Sequence, residues 1–231
     1  MGSTQQLVKC DTSSLSIGSV TVERAKTVRL LGVTVDANLN LKHHISQKAK
    51  AASFALYKLK KIRRYLDKAT SLKLANSLIF SHMDYCNSLF VNLPSSYLQP
   101  LQRVQSLTAK VILKKSKFHS STECLRSLHI LPVQARAKYK ILLLVYKCLN
   151  NLAPSYLSDL LHVKTSSYAT RSSAALNLNV PFTQKNFFAD RSFSIAGPTL
   201  WNDLPINVRN TATLPMFKKA LKTHLFTQYF S

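Results

Sequence analysis

Acidic side chains are scarce in this sequence: nine Asp and Glu stand against 32 Lys and Arg, a formal charge of +23 over 231 residues. Asp11, Glu23, Asp36, Asp67, Asp84, Glu123, Asp159, Asp190 and Asp203 are scattered, and no two are adjacent. A two-metal phosphoryl-transfer centre needs several carboxylates gathered around its ions, and this spacing does not announce one. Asp84, inside HMDYC, reads as a mid-helix polar residue rather than as a catalytic carboxylate. Glycine is equally sparse. Four residues cannot build a glycine-rich phosphate loop. No nucleophile elbow stands behind a Ser/His/Asp arrangement. The chain therefore reads as having no catalytic residue and no cofactor.

Metal and disulfide frameworks are missing too. Cys10, Cys86, Cys124 and Cys148 lie far apart among apolar residues and read as buried free thiols. The groups His82/Cys86 and His119/Cys124/His129 lack the paired spacing of a zinc site. His43 and His44 are neighbours, so a helix points them to different sides. Long apolar runs are absent as well: ILLLV, Ile141 to Val145, falls far below the length a bilayer requires. No secretory leader is visible, and MGSTQQ has Gln6 where a myristoylation signal wants Ser or Thr. These absences read as an intracellular chain, cytoplasmic or nuclear, without a membrane partner.

What is present is a hydrophobic fraction of 46%, enough for a folded core. LSI-GS-VTV, Leu15 to Val22, alternates about Gly18-Ser19 as a hairpin does. TVRLLGVTVD, Thr27 to Asp36, reads as a third strand, after which DANL turns the chain into helices. Helical periodicity then predicts Leu41 to Leu66, with Leu41, Ile45, Ala52, Ala55, Leu56, Leu59, Ile62 and Leu66 on one side. Asp67 suits the cap of a further helix, Lys68 to Phe90, ended by Asn92-Leu93-Pro94. Helices follow over Tyr97 to Lys115, Thr122 to Leu128, from Leu131-Pro132 to Asn150, and over Pro154 to Leu161. In the helix up to Asn150, Arg136, Lys138 and Lys140 read as one outward face, and Ile141, Leu144, Val145 and Leu149 as core-directed. A Ser/Thr-rich loop comes next, then a short strand through Leu176, Leu178 and Val180, and a last helix over TLPMFKKALKTHLFTQYF. The expected class is mainly α (α+β). It comprises a β-hairpin and strand over 1–40, a helical bundle over 41–161 and a small α/β region over 162–231.

The positive signal sits on the helix from Leu41 to Leu66. Lys42, Lys50, Tyr57, Lys60, Lys61 and Arg64 cluster opposite its apolar side, and no acid interrupts them. Solvated helix faces ordinarily mix charge signs. Cations without counter-charges suit a polyanion, because each phosphate contact releases condensed counterions. Tyr57 among them suits stacking on a base or sugar. A basic amphipathic helix can also lie on a membrane, but this one needs its apolar side for a core.

Three segments together resemble the far end of a LINE-type (non-LTR) retrotransposon reverse transcriptase. VRLLGVTVDANLNLKHHI, Val28 to Ile45, is similar to that family's primer-grip strand, through Leu31, Gly32 and Val33, and the opening of its thumb. HMDYCNSLFVNLP, His82 to Pro94, with LQRVQ and AKVIL beyond it, resembles the thumb helices. FSIAGPTLWNDLPINVR and PMFKKALKTHLF resemble a C-terminal signature, carried by Gly197, Pro198, Trp201, Asn202, Leu204 and Pro205. The resemblance implies that the polymerase aspartates belong to a palm upstream of Leu31, outside this chain. It also implies a thumb-like bundle gripping an RNA–DNA hybrid, RNA or single-stranded DNA, with no small-molecule substrate. Within the signature, Trp201 reads as a buried anchor, Gly197-Pro198 as a turn and Asp203 as a local cap, with base stacking by Trp201 as the alternative. Two other readings stand beside the grip: a domesticated module docking a host protein through apolar surface around the first hairpin, and a pseudogene product without selected function.

Overall fold

The computed structural model describes residues 14–23, 25–164, 176–182 and 189–230. The opening MGSTQQ, Cys10, Asp11 and most of the Ser/Thr-rich loop lie outside the described residues. The architecture is mainly α, with short antiparallel hairpins ahead of a set of helices.

Strand β1 (Ser14–Ile17) pairs with β2 (Val20–Glu23) about Gly18, whose φ of 62° suits a tight hairpin turn. Thr27 to Asp36 is not one strand. β3 (Thr27–Leu30) folds back on β4 (Val33–Asp36), with Leu30 opposite Val33. Between them Leu31 and Gly32 both take positive φ, 46° and 77°, as a type I′ turn requires. The β-branched run hides this turn because leucine, not Asn or Asp, fills its first left-handed position.

Asp36 then organises the entry to the first helix. Its carboxylate accepts hydrogen bonds from the backbone N–H groups of Asn38, Asn40 and Leu41 at 2.8 to 3.1 Å. Helix α1 (Lys42–Ile62) buries Ile45, Ala49, Ala52, Leu56 and Leu59 in a continuous stripe. Each fully buried Leu or Ile contributes about 1.5–3 kcal/mol relative to an exposed one. Ile62, expected on that stripe, is instead exposed. The chain tightens into a 3₁₀ turn, Arg63–Tyr65, and Arg63 takes the inward place.

Asp67 caps α2 (Lys68–Ala75), accepting from the Ala69 and Thr70 N–H groups at 3.1 and 3.2 Å. The helix expected to run on to Phe90 is interrupted twice. It widens into a π turn at Asn76–Phe80, resumes as α3 (Ser81–Asp84), and breaks where Cys86 adopts φ 54° before a 3₁₀ turn, Asn87–Phe90. Helices α4 (Ser95–Ile112), α5 (Ser121–Ser127) and α6 (Val133–Leu149) follow where periodicity puts them, then α7 (Ser155–Ser158). Arg136 does not join an outward face with Lys138 and Lys140. Its guanidinium turns inward to the Asp84 carboxylate, with Nε donating to Oδ1 at 2.7 Å and Nη2 to Oδ2, tying α3 to α6.

Glycine scarcity marks the helix ends. Lys114, His129 and Asn151 take positive φ just past α4, α5 and α6. Each ends its helix in the paired backbone bonds of a Schellman motif, as Lys115 N–H to Lys110 O and Lys114 N–H to Val111 O do. Glycine normally fills this position.

Two cores result. One gathers α1, α2, the π turn, α4 and α5, with Val33 of β4 against it. The other is built from α6 and three C-terminal helices: α8 (Phe193–Asn202), α9 (Ile206–Arg209) and α10 (Leu214–Phe230). Tyr146 and Phe217 stack at 4.2 Å between ring centres, and Trp201 lies 5.9 Å from Phe217. Gly197-Pro198 is therefore not a turn but the middle of α8. Packing overrides propensity here: Phe193, Ala196, Gly197, Leu200 and Trp201 form one helical face on this core. A Cβ on Gly197 would stand 3.0 Å from Val145 Cγ2, so a side chain there would require Val145 to give way where α8 approaches α6.

The strand expected at Leu176 to Val180 is reduced to a single bridge between Leu178 and Val163. Side chains replace the missing sheet. Trp201 Nε1–H donates to Leu176 O at 2.8 Å. The Asn202 amide accepts from Leu178 N–H at 2.9 Å and donates to Leu178 O at 2.8 Å, as a neighbouring strand would. Trp201 is buried and so cannot stack on a base. Asp203 follows α8 as its C-terminal flanking residue and is exposed. Trp201→Ala removes both the core filling and the Leu176 bond, and is expected to cost about 3–5 kcal/mol in urea unfolding. A loss below about 1 kcal/mol would show that the Trp201 pocket collapses without penalty.

Candidate nucleic-acid interface

Helix α1 contains six lysines and no acid, and Lys42, Lys50, Tyr57, Lys60, Lys61 and Arg64 are all exposed. They do not form one patch. Lys42 is about 28 Å of helix axis from Lys61 and lies over the Tyr97 ring at 4.3 Å, at the start of α4. Lys50 sits about two turns before Tyr57 on the same side. Tyr57, Lys60, Lys61 and Arg64 come together at the far end of the helix, where Lys61 Nζ rests 4.7 Å from the Tyr57 ring centre.

Sequence reading missed what joins them there. Arg63 is buried, and its guanidinium donates to Val111 O, Ile112 O and Leu66 O. Two of these are terminal carbonyls of α4. Since Lys42 meets the beginning of α4 and Arg63 meets its end, α1 and α4 run side by side in the same direction. Parallel helices bring their C-terminal, electronegative ends together, which is favourable only where cations collect.

Cations collect there in excess. Lys60, Lys61 and Arg64 of the first helix end are joined by Lys110, Lys114, Lys115 and Lys117 of the second. Lys110 Nζ donates to Lys117 O at 2.8 Å, drawing that loop in. Two helix termini supply only about one unit of negative charge between them. The nearest carboxylates in sequence are already engaged: Asp67 caps α2, and Glu123 pairs with His119 at 3.4 Å. The hydrogen bond from Thr70 holds the Asp67 carboxyl below its ordinary range. Exposed rings are interleaved with the charges. Tyr65 is 74% exposed under Arg64, and Phe118 is 87% exposed under Lys117. The run KKSKF was legible as basic, but nothing in the sequence placed it beside Arg64.

The primer-grip-like residues lie elsewhere. Leu31 projects from the tip of the second hairpin, Gly32 turns beneath it and Val33 is buried. The Tyr85 hydroxyl donates to Leu31 O at 2.6 Å, and a Cβ on Gly32 would stand 3.1 Å from that hydroxyl. Arg29 and Lys48 line a shallow cavity beside this turn. Lys48 leaves α1 about 180° from Tyr57, so the hairpin tip and the cationic helix end occupy different sides of the helix. His44 anchors the hairpin, its Nδ1 accepting from Thr34 N–H at 3.2 Å. Burial, with a smaller contribution from Lys48, lowers its pKa and favours the neutral acceptor form.

Of the signature residues, Gly197, Pro198, Trp201 and Leu204 are buried at the second core, Trp201 and Asn202 hold the 176–178 segment, and Pro205 is exposed ahead of α9; none adds a functional group to either place. Among the described residues no cluster of His, Cys, Asp or Glu is arranged to hold a metal ion. No described helix is long and apolar enough to cross a membrane. No family model, no curated protein and no solved structure matches this chain.

Arg63 and Arg64 should separate folding from surface function. Arg63→Ala strands the α4 carbonyls and is expected to lower stability by about 2 kcal/mol, whereas Arg64→Ala should stay within about 0.5 kcal/mol of the parent. Equal thermal shifts for the two variants would dismiss the Arg63 clamp.

Proposed function

We propose that this chain is a non-catalytic nucleic-acid grip, the thumb and C-terminal part of a LINE-type RNA-directed DNA polymerase. The observation that carries the reading is the cationic end shared by α1 and α4, where seven exposed or half-exposed Lys and Arg gather around two parallel helix termini. Such a surface holds phosphates by charge and position, with little reading of base identity. Tyr57, Tyr65 and Phe118 add ring faces on which unpaired bases stack, so RNA and single-stranded DNA are the preferred partners alongside an RNA–DNA hybrid. The chemistry of synthesis belongs to a palm domain, and this chain alone is not expected to extend a primer.

The test is fluorescence anisotropy of a labelled single strand across a salt series. Affinity should fall steeply with salt, by about 0.7 log units per log salt for each phosphate engaged. The triple charge reversal K60E/K61E/R64E should abolish binding at physiological salt, and Tyr65→Ala should weaken it while leaving the salt slope unchanged. Unchanged affinity in the triple variant, or metal-dependent primer extension by the parent chain, would overturn the reading.

A second reading rests on the hairpins. Ile17, Val20 and Leu30 are each more than 60% exposed, and Leu31 is 86% exposed at its turn. Two-stranded hairpins are marginal alone, so a protein surface covering these apolar residues would stabilise them. Size-exclusion chromatography in 1 M salt, where charge contacts are screened beyond about 3 Å, distinguishes the two. A stable oligomer supports the docking module, and a clean monomer that binds nucleic acid at low salt removes it.

A further inference from the structure

The neighbouring pair His43-His44 takes no part in the cationic helix end. Adjacent residues leave a helix about 100° apart, yet both rings serve one residue of the second hairpin. His44 has no exposed surface, and its Nδ1 accepts from Thr34 N–H at 3.2 Å. Thr34 Oγ1–H donates to Gln47 Oε1 at 2.9 Å, and the Gln47 amide donates in turn to Nε2 of the exposed His43 at 2.9 Å. Val33, buried against the first core, and the Tyr85 hydroxyl on Leu31 O hold the same hairpin. A two-stranded hairpin is marginal without such support.

The His44 site suits one protonation state. Accepting at Nδ1 leaves the neutral ring's proton on Nε2, and that buried Nε2 has no partner among the described residues. The Phe90 ring, 6.2 Å away between centres, stands beside it. A second proton would enter at Nδ1 and face Thr34 N–H, donor against donor, in a buried place. No carboxylate is free to compensate. Asp36 is engaged by the N–H groups ahead of α1 and favours the charged form of Arg191, while Asp84 is paired with Arg136. On α1 the charge that acts on the ring is Lys48, a cation, whereas Lys42 lies over Tyr97. The hairpin brings Arg29, and the segment from α3 brings His82 and Tyr85, all around the shallow cavity that Lys48 lines.

We infer that His44 is a proton-operated latch, holding β3 and β4 on α1 at neutral pH and releasing them on acidification. Docking favours the neutral ring, so the docked hairpin is fully supported above the ordinary imidazole value of about 6.5. Support is lost as pH falls from there toward the lowered value of the docked state, by up to about tenfold per pH unit for one proton. Release uncovers Val33 and parts Arg29 from Lys48 and His82, taking apart the cavity that these three line. The buried stripe of α1 packs chiefly on α4 and stays in place, so the change is local. The latch does not rest on the nucleic-acid reading.

Hydrogen–deuterium exchange of the whole chain from about pH 7.5 to about pH 5, corrected for the intrinsic pH dependence of exchange, tests it. Amides over 27–36 should lose protection by up to about tenfold per pH unit below about pH 6.5, while those over 45–59 stay protected. His44→Asn, whose amide oxygen stands in for Nδ1 without titrating, should keep 27–36 protected across the range. His43→Gln should retain the pH response of the parent. An NMR titration of the His44 ring in the parent chain gives a reading that needs no variant: ring protonation and loss of protection should share one midpoint. Constant protection of 27–36 in the parent, an unaltered pH response in His44→Asn, equal loss over 45–59, or separate midpoints would each overturn the latch.

Discussion

Positive charge with almost no counter-charge is the constraint under which this chain folds. Ion pairing is not available as a general device, and among the described residues only Arg136–Asp84 and His119–Glu123 come within ion-pair distance. Guanidinium and ammonium groups that enter the structure donate to carbonyl oxygens instead. Arg63 donates to the end of α4, Arg191 to Leu39 O and Leu89 O, and Lys110 to Lys117 O. Backbone carbonyls at helix ends and turns lack partners of their own. The cations therefore satisfy groups that would otherwise need water, and they cross-link segments far apart in sequence.

The same logic explains where the acids went. Asp36 gathers three backbone N–H groups ahead of α1, Asp67 caps α2, and Asp84 receives the inward-turning Arg136. Each of these carboxylates stabilises a junction, so none of the three is left to balance the surface. The parallel run of α1 and α4 then brings seven of the 32 Lys and Arg side chains to one end of that helix pair. A surface of this kind repels itself in the compact state, and a polyanion relieves that repulsion.

Helical periodicity made much of this legible. The buried stripe of α1, the Asp67 cap, the places of α4, α5 and α6, and the anchoring by Trp201 all follow from residue spacing and type. What stayed hidden depended on contacts across the chain. The turn at Leu31-Gly32 uses a residue that turn statistics disfavour, and α8 forms through Gly197 and Pro198 because α6 receives its face. Arg63 continues the 3/4 spacing of the buried stripe from Leu59 and Arg64 does not, but a charged residue at a core position is easily read as solvated; one is a buried clamp and the other an exposed cation. For the cationic surface, the basic composition could be seen beforehand, but the pairing of two helix ends could not.

The left-handed helix ends have an evolutionary consequence. Lys114 stands in the cationic helix end, in a backbone conformation that costs an L-residue about 1–2 kcal/mol and glycine almost nothing. There the replacement that relieves the strain, glycine, is also the one that removes a cation from the surface. Selection for thermal robustness alone would therefore erode that surface, and a chain that keeps a lysine there trades stability for its charge.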